Sequence, residues 1–112
     1  MKLATWNVDS IRARLTRLLR WLDSQKPDLL CLQELKVTEE LFPFPEIEAA
    51  GYHAAVFGQK TYNGVAILSR TPLQEVEPGF GPADDDPAAR LISARVGELR
   101  VISAYVPNGQ VL

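Results

Sequence analysis

Leu3-Ala4-Thr5-Trp6-Asn7-Val8, a following stretch with Ile11, Leu15, Leu18, Leu19 and Leu22, and then Asp28-Leu29-Leu30-Cys31-Leu32-Gln33 decide the fold. The first segment reads as a short strand that ends in polar residues. Asp9 or Ser10 then offers a side-chain oxygen to the free N–H groups of a helix start. The five apolar residues behind it fall at i, i+4, i+7, i+8 and i+11, one face of a helix. Arg12, Arg14, Arg17 and Arg20 occupy the other positions. Pro27 closes the helix, because it disfavours helical geometry at Lys26. The nearly continuous apolar run that follows suits a strand covered on both faces. Strand, helix, strand predicts a right-handed parallel crossover, and so an α/β protein.

Downstream the pattern turns to strands at Tyr52–Phe57, Gly64–Ser69, Leu73–Val76, Leu91–Val96 and Leu99–Val106. A short helix is expected over Pro45–Ala50, closed by Gly51. Gly97-Glu98 between the last two strands reads as a tight hairpin turn. Pro78–Pro87, with its Asp84-Asp85-Asp86 run, is a loop by composition. One strong helix cannot cover both faces of so many strands, so the chain reads as part of a domain with an apolar sheet face left open.

Composition bounds the class. The 112 residues are 46% hydrophobic and 23% charged with a net charge of −2, which excludes a disordered chain. A lone cysteine, Cys31, excludes a disulfide scaffold and points to a reducing compartment. No apolar run approaches the roughly 20 residues needed to span a bilayer. Met1–Trp6 lacks the apolar stretch of a signal peptide. The expectation is a cytoplasmic protein with no membrane partner. The slight negative charge gives no signature of nucleic acid, although a local basic strip is compatible with it.

Polar residues gather at strand ends: Asn7 and Asp9, Gln33 and Glu34, Tyr105 and Asn108. Ligands of α/β sheets collect beyond the carboxyl ends of parallel strands. Parallel neighbours would bring Asn7 and Glu34 to one edge, where hard oxygen atoms suit Mg²⁺. The competing reading makes the same residues turn and capping groups. His53 reads as an ordinary strand residue, Cys31 as a buried thiol, Trp21 as packing, and Asp84–Asp86 as a solvated loop. The arginine row is a solvated helix face, with Arg12 its best candidate for a nucleic-acid contact.

Taken together, Thr5-Trp6-Asn7-Val8-Asp9-Ser10-Ile11-Arg12, Leu32-Gln33-Glu34-Leu35-Lys36, Tyr62-Asn63-Gly64-Val65-Ala66-Ile67-Leu68-Ser69 and Tyr105-Val106-Pro107-Asn108-Gly109 occur in that order. This order closely resembles the exodeoxyribonuclease III type of apurinic/apyrimidinic endonuclease, in the endonuclease/exonuclease/phosphatase superfamily. The resemblance runs through the whole chain and implies the N-terminal half of a four-layered α/β sandwich with a mixed sheet. It implies a Mg²⁺-dependent nuclease, with Mn²⁺ as a substitute, acting on duplex DNA at abasic sites and 3′ ends. By the same resemblance Glu34 is a principal metal ligand with Asn7 beside it in the metal and phosphate shell, Asp9 and Lys36 support them, and Tyr105 acts at the scissile phosphate by hydrogen bonding or as phenolate. Arg12, Lys60, Tyr62, Asn63 and Asn108 then contact DNA or position the site. The family's further Asp and Asn ligands and its catalytic His would fall beyond Leu112. Residues 1–112 are therefore expected to form a partial domain that is inactive alone and prone to self-association. The rival readings are a non-catalytic half-domain that assembles with a partner and a superfamily phosphoesterase with another substrate.

Overall fold

The structure is a computed structural model that describes residues 1–79 and 88–106. The first strand, β1 (Leu3–Asn7), leads into helix α1 (Ile11–Gln25) and back into β2 (Leu29–Gln33). β1 and β2 pair in parallel, with Asn7 opposite Gln33. The Ser10 hydroxyl caps α1 by accepting from the Ala13 N–H at 3.2 Å. Lys26 ends the helix in the left-handed region at φ 45°, its N–H returning to the Leu22 carbonyl. After a single 3₁₀ turn (Glu39–Leu41), the short helix α2 spans Phe44–Ala49, one residue earlier at each end than the composition suggests.

The remaining strands are β3 (His53–Phe57), β4 (Val65–Ser69), β5 (Gln74–Pro78), β6 (Leu91–Val96) and β7 (Leu99–Ala104). They do not extend one sheet. β1-β2-β4-β3 form a mixed sheet, and β5-β6-β7 form a second, antiparallel one. The two sheets pack face to face, so the second sheet covers the face of β2 and β4 that α1 leaves, while Ile102 on the outer face of β7 stays 57% exposed. Along β2 and β4 the side chains alternate between two cores. Leu30, Leu32, Ala66 and Leu68 pack with Ile11, Leu18 and Leu22 of α1. Leu29, Val65 and Ile67 pack with Ile92, Ala94 and Val96 of β6. All five residues of β4 are buried, as a strand covered on both sides requires.

A buried hydroxyl pins the two sheets together near their polar end. Ser103 on β7 donates to the Leu32 carbonyl at 3.0 Å and accepts from Gln33 Nε2 at 3.1 Å. Gln33 also donates to Thr5 on β1 at 2.9 Å. Three strands from two sheets are thus held in register within one residue of Glu34 and two of Tyr105. Asp84–Asp86 and Asn108 lie outside the described residues.

Candidate active site

The strand ends meet as their parallel pairing requires. The chain leaving β1 is stitched to the chain leaving β2 by Val8 N–H to Gln33 O at 3.0 Å, Ser10 N–H to Glu34 O at 2.9 Å and Ile11 N–H to Leu35 O at 3.1 Å. The segment before β4 is bound to the same loop by Leu35 N–H to Gly64 O at 3.1 Å and Lys36 N–H to Asn63 O at 2.9 Å. These bonds hold Asp9, Ser10, Glu34, Lys36 and Asn63 at positive φ, between 45° and 84°. Such conformations are uncommon for side chains with a Cβ and persist where the surroundings over-determine them.

Asn7 joins the two ends. Its Nδ2 donates to Glu34 Oε1 at 2.8 Å, and its Oδ1 accepts from the Asp9 N–H at 3.1 Å. Asn7 therefore turns its nitrogen toward Glu34 and holds the carboxylate in place. Lys36 Nζ stands between the acids, 2.5 Å from Asp9 Oδ1 and 3.7 Å from Glu34 Oε2. Arg14 approaches Asp9 Oδ2 from α1 at 4.0 Å. The Lys36 hydrogen bond and charge hold the Asp9 carboxyl below the usual carboxylate range, and Asp9 raises the Lys36 ammonium in return. Asp9 is largely exposed, whereas only 22% of the Glu34 side-chain surface meets solvent.

Tyr105 enters from the second sheet. Its N–H donates to the Arg90 carbonyl at 2.7 Å, and its phenol stands near enough to the Glu34 carboxylate to feel its charge. Partial burial and then the Glu34 charge push the phenol pKa up. One cluster therefore contains Asn7, Asp9, Glu34, Lys36 and Tyr105. Arg12, Lys60 and Tyr62 lie on the exposed surface, and Asn63 is half-buried beside the cluster. His53 is exposed on β3, and Trp21 packs against the α1 core. Cys31 is half-buried, not fully buried, with its thiol pushed up by desolvation. A separate crevice of about 260 Å³, lined by Thr5, Trp6, Arg17, Trp21 and Leu30, shares no side chain with the cluster.

Two contributors were not singled out from the sequence. Ser103 sets β7 against β2, and Gln59 ties together the loops around Asn63 and Ala89. Neither belongs to a short motif. Both act through contacts between segments distant in sequence.

Asp9 is paired with Lys36, so the donor set open to an ion is the Glu34 carboxylate. It fits a hard divalent cation, which takes oxygen ligands and commonly binds one or two carboxylates, retained waters and a substrate phosphate. Among the described residues no group of three His, Cys, Asp or Glu side chains could hold a metal by itself. The arrangement suits an ion shared with substrate. Lys36, a positive charge beside Glu34, would also face an incoming phosphate.

A fold of two packed sheets with its polar cluster at the strand ends defines the class. Residues 4–110 match the Endonuclease/Exonuclease/phosphatase family, and the chain belongs to it. Among individual proteins it is 36% identical to exodeoxyribonuclease III of Haemophilus influenzae, an alignment covering 98% of this chain and 43% of that protein. A 3′-5′ exonuclease from Neisseria meningitidis superimposes with a TM-score of 0.93 at 45% identity, over 98% of this chain and 43% of that one. An AP endonuclease from Archaeoglobus fulgidus does so with a TM-score of 0.89 at 43% identity, over 96% and 41%. The chain thus spans less than half the length of these relatives, and the shared part is the one that carries the cluster.

Proposed function

We propose that this chain supplies the N-terminal half of a divalent-metal-dependent DNA-repair nuclease that hydrolyses phosphodiesters at abasic sites and 3′ ends of duplex DNA. The convergence of Asn7, Glu34 and Tyr105 from two sheets onto one point carries this reading. The names of the relatives, nucleases of DNA, support the substrate class.

Glu34 is the residue that would hold Mg²⁺, or Mn²⁺ in its place, with Asn7 fixing the carboxylate. When bound, the cation neutralises charge developing on the phosphate and orients the attacking water. Asp9 keeps Lys36 charged and in place. Lys36 then offers its ammonium beside the phosphate without forming a buried ion pair with Glu34. Tyr105, beside Glu34, would act at the scissile phosphate by donating its hydroxyl to a phosphate oxygen or as phenolate. Arg12, Lys60, Tyr62, Asn63 and Asn108 would contact the DNA. Each cationic contact displaces counterions, so binding should weaken as salt rises.

None of the clustered residues is placed as a general base for water, a role typically worth about 10² to 10⁴ in rate. We therefore assign the base and the remaining ligands to a C-terminal part of the family domain outside these 112 residues. The half-domain alone should be silent and should associate with itself through its exposed apolar edges. An abasic-site nicking assay with Mg²⁺ decides this. The chain alone should show no multiple turnover, and the chain joined to the rest of the family domain should nick and lose the activity in EDTA. Turnover by the isolated chain, or metal-independent nicking by the completed domain, would refute the proposal.

A further inference from the structure

We propose that Gln59 is a positioning residue for the Glu34–Tyr105 cluster, clasping through one amide oxygen the two loops that frame it. The inference rests on the reading of that cluster as the reaction site. Gln59 Oε1 accepts two hydrogen bonds, from Asn63 Nδ2 at 3.1 Å and from the Ala89 N–H at 2.9 Å. Its own N–H donates to the Val37 carbonyl at 2.9 Å. One residue therefore ties the loop after β2, the loop before β4 and the approach to β6.

Each tied segment leads to the cluster in one or two steps. Asn63 accepts at its carbonyl from the Lys36 N–H, and Lys36 stands between Asp9 and Glu34. Ala89 accepts at its carbonyl from the Gly64 N–H at 2.8 Å, which doubles the link between those two loops. The next residue, Arg90, accepts from the Tyr105 N–H at 2.7 Å. Gln59 is thus bonded directly to Asn63, whose backbone seats Lys36, and to Ala89, the neighbour of Arg90, whose backbone seats Tyr105.

The surroundings show why a clasp is needed. Thr61 and Asn63 sit at φ 70° and 56°, conformations that a loop keeps only while its contacts hold it. Gly58, next to Gln59, lies so close to the loop after β2 that a Cβ there would meet the Val37 carbonyl oxygen at 2.6 Å. Gln59 is therefore delivered to its position by a backbone contact with no room to slide. An apolar side chain of the same length would leave the half-buried Asn63 amide and the Ala89 N–H without this acceptor. The loops could then shift by the fraction of an ångström to which reaction geometry is sensitive.

The test compares Gln59→Met, which keeps the length and removes the acceptor, with Gln59→Glu, which keeps an acceptor oxygen. Amide hydrogen exchange is read in the 112-residue chain without metal or DNA. Nicking kinetics are read in the completed domain. Gln59→Met should speed exchange at Ala89 and Tyr105 and lower kcat about tenfold or more, with KM within about twofold and an unchanged circular dichroism spectrum. Gln59→Glu should hold both readouts within about threefold of the parent. Should Gln59→Met fail to fold, Gln59→Asn, whose acceptor falls one methylene short, makes the same comparison. Unchanged exchange and kcat in Gln59→Met would overturn the proposal, as would faster exchange with an unaltered kcat. A Gln59→Glu variant as impaired as Gln59→Met would also overturn it. The exchange arm separates this inference from the proposed function, because it detects the clasp whether or not the completed domain nicks DNA.

Discussion

At the scale of single residues, Asp9 and Lys36 set the charge state of the site. The Asp9 carboxyl is lowered from its ordinary 3.8, so the pair's contribution is present above that value and lost as pH falls through the lower folded value. Lys36 is raised from its ordinary 10.5, so its contribution is present below that value and lost as pH rises through the higher folded value. The pair should therefore stay intact across the whole neutral range, and an NMR titration of the two side chains checks it. A titration of either group between about pH 5 and 9 would contradict the geometry. Tyr105 offers a second test at this scale. Replacing it by Phe removes one positioned donor and should lower kcat in the completed domain about 10²-fold, with the fold intact. Single-turnover nicking by Tyr105→Phe measures that loss. The sequence made Asn7, Glu34 and Tyr105 legible, because each stands at a strand end within a recognisable motif. It did not reveal that Asn7 turns its nitrogen toward Glu34, since an amide orients by its neighbours and not by its position in a motif.

At the scale of elements, α1 and its two flanking strands were readable because helical and strand periods differ, and a 15-residue amphipathic helix leaves little ambiguity. The division of the strands into two sheets was not readable. Alternation tells which side of a strand is apolar, not which strand will cover it, and β5 to β7 look like further members of the first sheet. The sequence placed Gly64 at the head of a strand, whereas it precedes β4 in a turn that only glycine enters freely. Gly64 sits at φ +95°, and a Cβ there would meet the Leu35 Cβ at 2.9 Å. Gly64→Ala should cost more than about 1 kcal/mol in urea unfolding, because both backbone and packing oppose it. It should also disturb Lys36, whose neighbour Leu35 donates its N–H to the Gly64 carbonyl. An unchanged urea midpoint would mean that this turn relaxes freely. By contrast Gly97, at φ +60°, has open space for 4 Å around the point a Cβ would occupy, so Gly97→Ala should show only the conformational cost.

At the scale of the whole molecule, apolar surface is exposed on the outer face of β7, where Ile102 is 57% exposed, and along the side where β1 and β7 form the edges of the two sheets. Leu3 is 61% exposed on one edge strand and Leu99 46% on the other. A crevice of about 230 Å³ between them has Leu3, Leu29, Cys31, Leu99 and Val101 in its walls. Unpaired edge strands are ready templates for pairing with another chain. Purified alone, the chain should elute in size-exclusion chromatography above its monomer mass. Leu3→Lys together with Leu99→Lys should shift it toward the monomer. A monodisperse monomer of the parent chain would show that these edges are adequately protected as they stand.

Paramagnetic broadening tests on the chain itself the hard-cation site proposed for Glu34 at the strand ends of β1 and β2. Mn²⁺ added in small steps to ¹⁵N-labelled protein broadens amide signals near any bound ion. The amides of Asn7, Asp9, Glu34 and Lys36 should broaden first, Mg²⁺ should compete the effect away, and Glu34→Ala should abolish it while leaving the rest of the spectrum in place. Broadening centred elsewhere, at Glu39 and Glu40 for example, or the same broadening in Glu34→Ala, would contradict the account.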